Sequence, residues 1–203
     1  MAGDSVALVL TAADAASRRS GAGLFPGVPL ESLERHDLRP PAPFEGPLFE
    51  LFAAQAHGAC VGLIVPVEWV GPAGAGEIGP SAGEPAPAAG DIALIADHVG
   101  LEARGPLTGR WPEGVQRDFP GMTGIYQPRL VRPREGARVY SFGVVAAGIA
   151  DARHLTRFEV RAARDGGCAV VSDCLVPAAI VAAYYGLRLA ACGVVQAPRS
   201  ERE

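Results

Sequence analysis

The apolar residues of this chain fall into short runs separated by Gly, Pro and charged residues, and the runs alternate between two periodicities. Residues 5–11 (SVALVLT) form a Val- and Leu-rich run that predicts a buried strand. Residues 48–57 space their apolar side chains as a helix does, and 59–70 return to a β-rich run. The segment 71–90 is dominated by Gly, Pro and Ala; with little to bury, it predicts a mobile loop, too short to link two domains. Strands are predicted at 91–99 (DIALIADHV) and 137–147 (ARVYSFGVVAA). A helix follows over 154–164, with Leu155, Phe158, Ala162 and Ala163 on or near one side. A short strand at 168–171, a helix at 177–185 and a strand at 188–195 complete the pattern. Strands alternate with helices, and several strands are apolar on both faces, as in a parallel sheet covered by helices. The expected architecture is therefore α/β: one domain over residues 1–203, with a mainly parallel mixed β-sheet flanked by helices.

Residues 176–195 are apolar over a length that could span a bilayer. Arg188 within the run and Gly186 at its middle favour a buried helix followed by a buried strand. The N-terminal MAGDS has neither a basic region nor a long apolar core, so no secretory signal is evident and the expected compartment is the cytoplasm. Composition is that of a globular chain, 49% apolar and 20% charged. With 18 basic and 22 acidic residues the net charge is -4, which gives no case for nucleic acid or an anionic membrane as partner. Every basic side chain is Arg, and the chain contains no Lys and no Asn. Cys60, Cys168, Cys174 and Cys192 are far apart with no CxxC pair, and three lie in apolar runs where a free thiol behaves as a small hydrophobe. His36, His57 and His154 lack metal-ligand spacing with Cys, Asp or Glu, so neither a metal nor a cofactor is expected.

Two longer segments carry a specific pattern. One is GDIALIADHVGLEARGPLTG followed by RDFPGMTGIY, with Gly90, Asp91, Asp97, His98, Pro106, Leu107, Phe119, Pro120 and Tyr126 as its marks. The other is GCAVVSDCLVPAAIVAAYYGLRL, marked by Val176, Pro177, Ile180, Val181, Ala182, Gly186, Leu187 and Arg188. In this order they resemble the trimeric purine nucleoside phosphorylases: a Gly-Asp strand ending in Asp-His with Asn-Pro-Leu and Arg-Phe-Pro after it, then a Gly-Met-Ser-Thr-Val-Pro-Glu turn into a helix. A fainter third likeness places VALVLT where that family's first strand enters a Gly-Ser-Gly loop. The resemblance implies a phosphorylase/hydrolase-like fold, a homotrimeric assembly and a nucleoside or purine-like small molecule as ligand.

Cleavage of an N-glycosidic bond needs a nucleophile under the anomeric carbon, contacts that steady an oxocarbenium-like sugar, and hydrogen bonds to the leaving base. In the family phosphate is the nucleophile, and a dianion needs dedicated donors, ideally bidentate Arg. Here the resemblance puts Thr11, Ala12 and Ala13 at the first phosphate loop, so Ala12 replaces its serine. PPAPFEG stands where the family has Arg-x-His-x-Tyr-Glu-Gly, giving Pro40, Ala42 and Phe44 at the Arg, His and Tyr positions, with Glu45 and Gly46 kept. Cys174 stands at the serine of Gly-Met-Ser, and Asp173 beside it places a carboxylate where phosphate would bind. The purine-binding Glu falls at Leu155, although Thr156 and Glu159 match, and the base-contacting Asn falls near Ala197. The family's later helix, with its ribose-contacting His, has no counterpart before Glu203. Trp69 falls where small residues line the phosphate site, which its bulk would fill. The fold without phosphorolysis is the expectation: a pseudoenzyme that binds a nucleoside or acts as a scaffold.

Asp173 and Cys174 lie where a strand hands over to a helix, the place at which open α/β sheets present ligands. Asp173 is the candidate catalytic residue, ordering a sugar hydroxyl or activating water in a divergent nucleosidase. The plainer reading is that Ser172 or Asp173 caps the helix, with Pro177 in its first turn. Val171, Cys174, Glu159, Thr156, Phe44 and Thr11 are the candidate substrate-binding residues. Glu159 also reads as part of a solvated helix face beside Arg157 and Arg161. His98 with Asp97 reads as structural, and Tyr184 and Tyr185 as core or interface aromatics.

Overall fold

The long apolar run over 59–70 builds the strand on which the rest of the sheet hangs. In the computed structural model, which describes residues 5–12, 14–71, 87–101, 105–115, 118–132 and 139–196, this strand is β3 (Cys60–Trp69). One edge of β3 pairs in parallel with β7 (Arg188–Val195), from Cys60↔Arg188 to Val67↔Val195. Its other edge is shared. β1 (Val6–Ala12) runs parallel to the first half, ending at Thr11↔Ile64, while β6 (Val170–Ser172) lies antiparallel against Glu68 and Trp69. β2 (Leu30–Leu33) pairs with the outer edge of β1.

The remaining strands complete a circuit. β4 (Ile92–Gly100) pairs in parallel with β5 (Val139–Gly148) and antiparallel with β7, and β5 pairs in parallel with β6. The path β3, β6, β5, β4, β7 returns to β3, a closed five-strand barrel from which β1 and β2 extend. The expectation of a mainly parallel sheet is corrected here: the sheet is mixed, and its closure depends on the antiparallel pairings β3–β6 and β4–β7. The reason is physical. Apolar residues on both faces of a strand report burial and say nothing about direction, and closure removes edges that would otherwise stay unpaired.

The helices are α1 (Ala15–Leu24), α2 (Pro47–Ala53), α3 (Arg157–Asp165) and α4 (Leu175–Tyr184). The sequence patterns give α2, α3 and α4, but neither α1 nor β2. Helix α1 (AASRRSGAGL) contains two glycines and a weak apolar stripe, and β2 (LESL) is exposed except at Leu33. Helix α4 is buried nearly all round, with Leu175, Val176, Pro177, Ala178, Ala179, Val181 and Ala182 in the interior. It stops at Gly186 (φ 66), where Leu187 N donates to Ala182 O and Gly186 N to Ala183 O, the paired bonds of a Schellman end. The apolar segment over 176–195 is thus a buried helix and a buried strand, and among the described residues no helix is long and apolar enough to cross a membrane. Most of the loop expected over 71–90, and the Ala197 position, lie outside the described residues.

Candidate functional site

β1 climbs one edge of β3 and β6 descends the same edge, so their C-terminal ends approach head-on. β1 is last paired at Ile64, and Ser172 Oγ, at the end of β6, lies 3.4 Å from Pro66 O. Both chains must leave the sheet there, and a cleft of about 910 Å³ opens over the gap. Its walls include Asp14 after β1, Arg35 and Arg39 from the turn after β2, Arg153 from the loop after β5, and Asp173 and Pro177 at the start of α4.

Two lining residues of the cleft form an ion pair. Arg35 Nη2 donates to Asp173 Oδ1 at 2.6 Å, with side chains 28% and 7% exposed. Burial works against the charge of Arg35, but the hydrogen bond and charge of Asp173, with a further contribution from Asp14, hold its pKa above the ordinary arginine value. Asp14 uses Oδ1 to accept from Ser17 N at 2.9 Å, at the start of α1. Asp14 Oδ2 and Arg35 Nε are buried without a hydrogen-bond partner among the described residues. Elsewhere in the lining, the Arg39 guanidinium donates to Ala150 O, and the Arg153 backbone N donates to Asp151 Oδ1 at 2.9 Å. The His154 ring, 2.6 Å from Asp151 Oδ2, holds the Asp151 carboxyl below the usual range, with the Arg153 backbone and charge adding to the effect. Three arginines of the lining (Arg35, Arg39, Arg153) face three carboxylates (Asp14, Glu34, Asp173), with His36 beside them.

Of the candidate catalytic and substrate-binding residues, Asp173 lines the cleft and the others are placed elsewhere. Thr11 is fully buried in β1, its hydroxyl 3.3 Å from Ala12 O. Cys174 is fully buried at the start of α4, where desolvation pushes its thiol up to about 12. Val171 packs in a small interior cluster with Val70, Ala147 and Cys168. Thr156 and Glu159 form a capping box on α3: Thr156 Oγ1 accepts from Glu159 N at 3.2 Å, and Glu159 Oε2 accepts from Thr156 N at 2.7 Å. Phe44, at φ 66, is ringed by Phe49, Trp111 and Tyr184 at centroid distances of 5.2 Å each, beside a second cavity of about 490 Å³. Trp69 packs against the main core, and Tyr184 and Tyr185 do so as well. His98 shares a 2.7 Å hydrogen bond with Tyr126 and has a pKa lowered by burial against the opposing charge of Asp97.

At the start of α4 the N-cap position falls on Cys174, which makes no side-chain capping bond, and not on Ser172 or Asp173. Ser172 Oγ accepts from Cys174 N at 3.4 Å and from Leu175 N at 3.3 Å, while Asp173 pairs with Arg35. Pro40 also lines the cleft. Yet the cleft is not stripped of cations. Arg35, His36 and Arg39, from the ERHDLR segment just before Pro40, stand in it, and sequence reasoning passed over them. The available signal was a charged run without apolar periodicity, placed directly after an apolar strand end. Among the described residues no cluster of His, Cys, Asp and Glu could hold a metal ion.

No protein-family model matches the chain, nor does any curated protein. Solved structures do. The purine nucleoside phosphorylase from Schistosoma mansoni in complex with acetate superposes with a TM-score of 0.50 at 16% identity, covering 68% of this chain and 49% of that one. The same organism's enzyme with a novel monocyclic inhibitor gives 0.48 at 16%, covering 67% and 50%. Its isoform 2, with cytosine and ribose-1-phosphate, gives 0.47 at 16%, covering 67% and 46%. The chain spans about half the length of the solved structures it matches. Its barrel-containing α/β fold is similar to that of the purine nucleoside phosphorylase in complex with acetate, and the likeness reaches the fold alone.

Proposed function

We propose that this chain is a nucleoside-phosphorylase-like protein that does not carry out phosphorolysis and that holds a nucleoside or related small molecule in the strand-end cleft. The observation that carries the reading is the 2.6 Å bond between Arg35 and Asp173. A phosphate nucleophile needs cationic donors in surplus, and here the arginines of the cleft are balanced by carboxylates, one of them bonded to Arg35. A neutral, polar ligand meets no such opposition. A cleft of about 910 Å³ is of the size that takes small molecules of this kind. A hydrolytic role for Asp173 asks more of the molecule, because its carboxylate is 7% exposed and already accepts from Arg35.

Thermal denaturation in the presence of inosine, guanosine, hypoxanthine or ribose 1-phosphate, each with and without inorganic phosphate, tests the reading. A ligand of the native state raises the melting temperature as its concentration passes the dissociation constant. A nucleoside-dependent rise unaffected by phosphate is the expected result. Phosphate-dependent release of hypoxanthine from inosine would overturn the proposal. Assembly as a trimer, which the resemblance implies, is read by light scattering as three times the chain mass of 20.9 kDa.

A further inference from the structure

We infer that Asp173 is a built-in counter-anion: its carboxylate occupies an oxyanion position formed by Arg35 within the cleft, and so sets the cleft against phosphate and other small oxyanions. The inference deepens the reading above, on which it rests for the place of ligand entry. Its basis is geometric. Arg35 offers a planar fork of donors, the geometry that suits a carboxylate or a phosphate face. One prong ends on Asp173 Oδ1 at 2.6 Å, the short distance of a charge-assisted bond. Arg39, Arg153 and His36 line the same space, with Asp14 and Glu34 as the acids that remain beside Asp173. What fills it is a side chain delivered from a strand end 138 residues away.

The position of Asp173 leaves it few alternatives. Ser172 already accepts from the free N–H groups of Cys174 and Leu175, and Cys174 is buried in the core. The carboxylate between them turns to the cleft. With Asp173 neutral, the lining would carry three arginines against two carboxylates, and a guanidinium without its partner. Asp14 is the second acid able to answer Arg35, since its charge raises the Arg35 pKa and its Oδ2 has no hydrogen-bond partner among the described residues. Arg35 freed from Asp173 can therefore turn to Asp14 instead. The latent anion site is fully exposed to an outside ligand when both acids are neutralised.

The test uses inorganic phosphate as probe, with chloride at matched ionic strength as reference, on the wild-type chain, Asp173→Asn, Asp14→Asn/Asp173→Asn and Arg35→Gln/Asp173→Asn. The wild type is expected to show the same melting temperature in both salts. The first or second variant is expected to gain a phosphate-dependent rise of roughly 3–6 °C at a concentration about tenfold above its dissociation constant. The variant lacking Arg35 is expected to lose that rise. A folded pair of acid-neutralised variants that ignore phosphate overturns the inference, as does a wild type that responds as strongly as they do. Variants that unfold in chloride and are rescued by phosphate support it, whereas variants unfolded in both salts overturn it. None of these outcomes depends on whether a nucleoside binds, so failure here and failure of the ligand reading are separable.

Discussion

Gly148 closes the barrel strand β5 directly beneath the start of α4, and its missing side chain is a packing requirement. It pairs with Ser172 on β6, and its carbonyl accepts from Leu101 N at 3.0 Å. A Cβ at this position would lie 2.6 Å from Val176 Cγ2 and 2.8 Å from Val176 Cβ, closer than real side-chain contacts allow. Val176 is 6% exposed and sits on a helix packed nearly all round, so it has little room to retreat. Overpacking of this kind costs about 1–3 kcal/mol, against a gain of about 0.4–1 kcal/mol from the stiffer unfolded chain. The expected net effect of Gly148→Ala is a loss of about 1–2 kcal/mol, or roughly 2–8 °C in melting temperature for a chain of this size. Val176→Ala alone removes two methyl groups and leaves a small cavity, a loss of about 1.5–2.5 kcal/mol. In the double variant the 2.6 Å contact with Cγ2 is gone, and the remaining 2.8 Å approach to the Cβ that position 176 keeps is relieved by a shift of a few tenths of an ångström. Its loss should therefore fall short of the sum of the singles by about 1 kcal/mol or more in urea denaturation. Additivity within about 0.5 kcal/mol would refute the close approach of α4 to β5. The consequence reaches the cleft, because α4 begins two residues after Asp173 and a helix displaced outward would lengthen the bond to Arg35.

Three further outcomes follow from single groups. Arg35→Ala leaves the Asp173 carboxylate, 7% exposed, without its cation, and a loss of about 1–3 kcal/mol is expected by thermal denaturation; an unchanged melting temperature would show that the pair contributes nothing. His98 has a folded pKa below its ordinary value of 6.5, chiefly through burial, so the unfolded chain takes up its proton first. The stability it contributes is complete above about pH 6.5 and is lost as pH falls towards the folded pKa. His98→Gln should flatten that part of the pH–stability profile, and an identical slope in the variant would contradict this. Cys60, Cys168, Cys174 and Cys192 are all buried with thiols pushed up by desolvation, so none should react with a disulfide reagent at pH 8 until denaturant is added. Rapid labelling of any one of them in the folded chain would show that its surroundings open.

Legibility in the sequence followed burial. β3, β4, α4 and β7 were readable because each carries a dense apolar run, and the break between α4 and β7 was marked by Gly186. α1 and β2 were not, because one is interrupted by glycines and the other is mostly exposed, so neither writes a periodicity. Barrel closure was hidden for a different reason: it depends on strand direction, and a fully buried strand looks the same either way round. At the site, Asp173 stood out as a polar residue following an apolar strand. Arg35 did not, because nothing local ties it to an acid 138 residues away. Thr156 and Glu159 were visible as a matched pair in the resemblance, while their T-x-x-E spacing spells the capping box that they form.

The local geometry at 172–174 explains why position 173 governs the cleft. The three residues leave β6 and enter α4, and the first and last are committed inward: Ser172 to backbone N–H groups and Pro66 O, Cys174 to the main core. The residue between them is turned outward by the same backbone path, whatever its side chain. β1 ends opposite, so what projects from 173 meets the segment arriving through β2, which buries Leu38 in the core and leaves Glu34, Arg35, His36 and Arg39 on the cleft. An acid at 173 therefore finds an arginine, while a small neutral residue there would leave that arginine to Asp14 or to the cleft. The fold brings three arginines and three carboxylates to the cavity, and the inference drawn above assigns to Asp173, with Asp14, the choice of which charges it accepts.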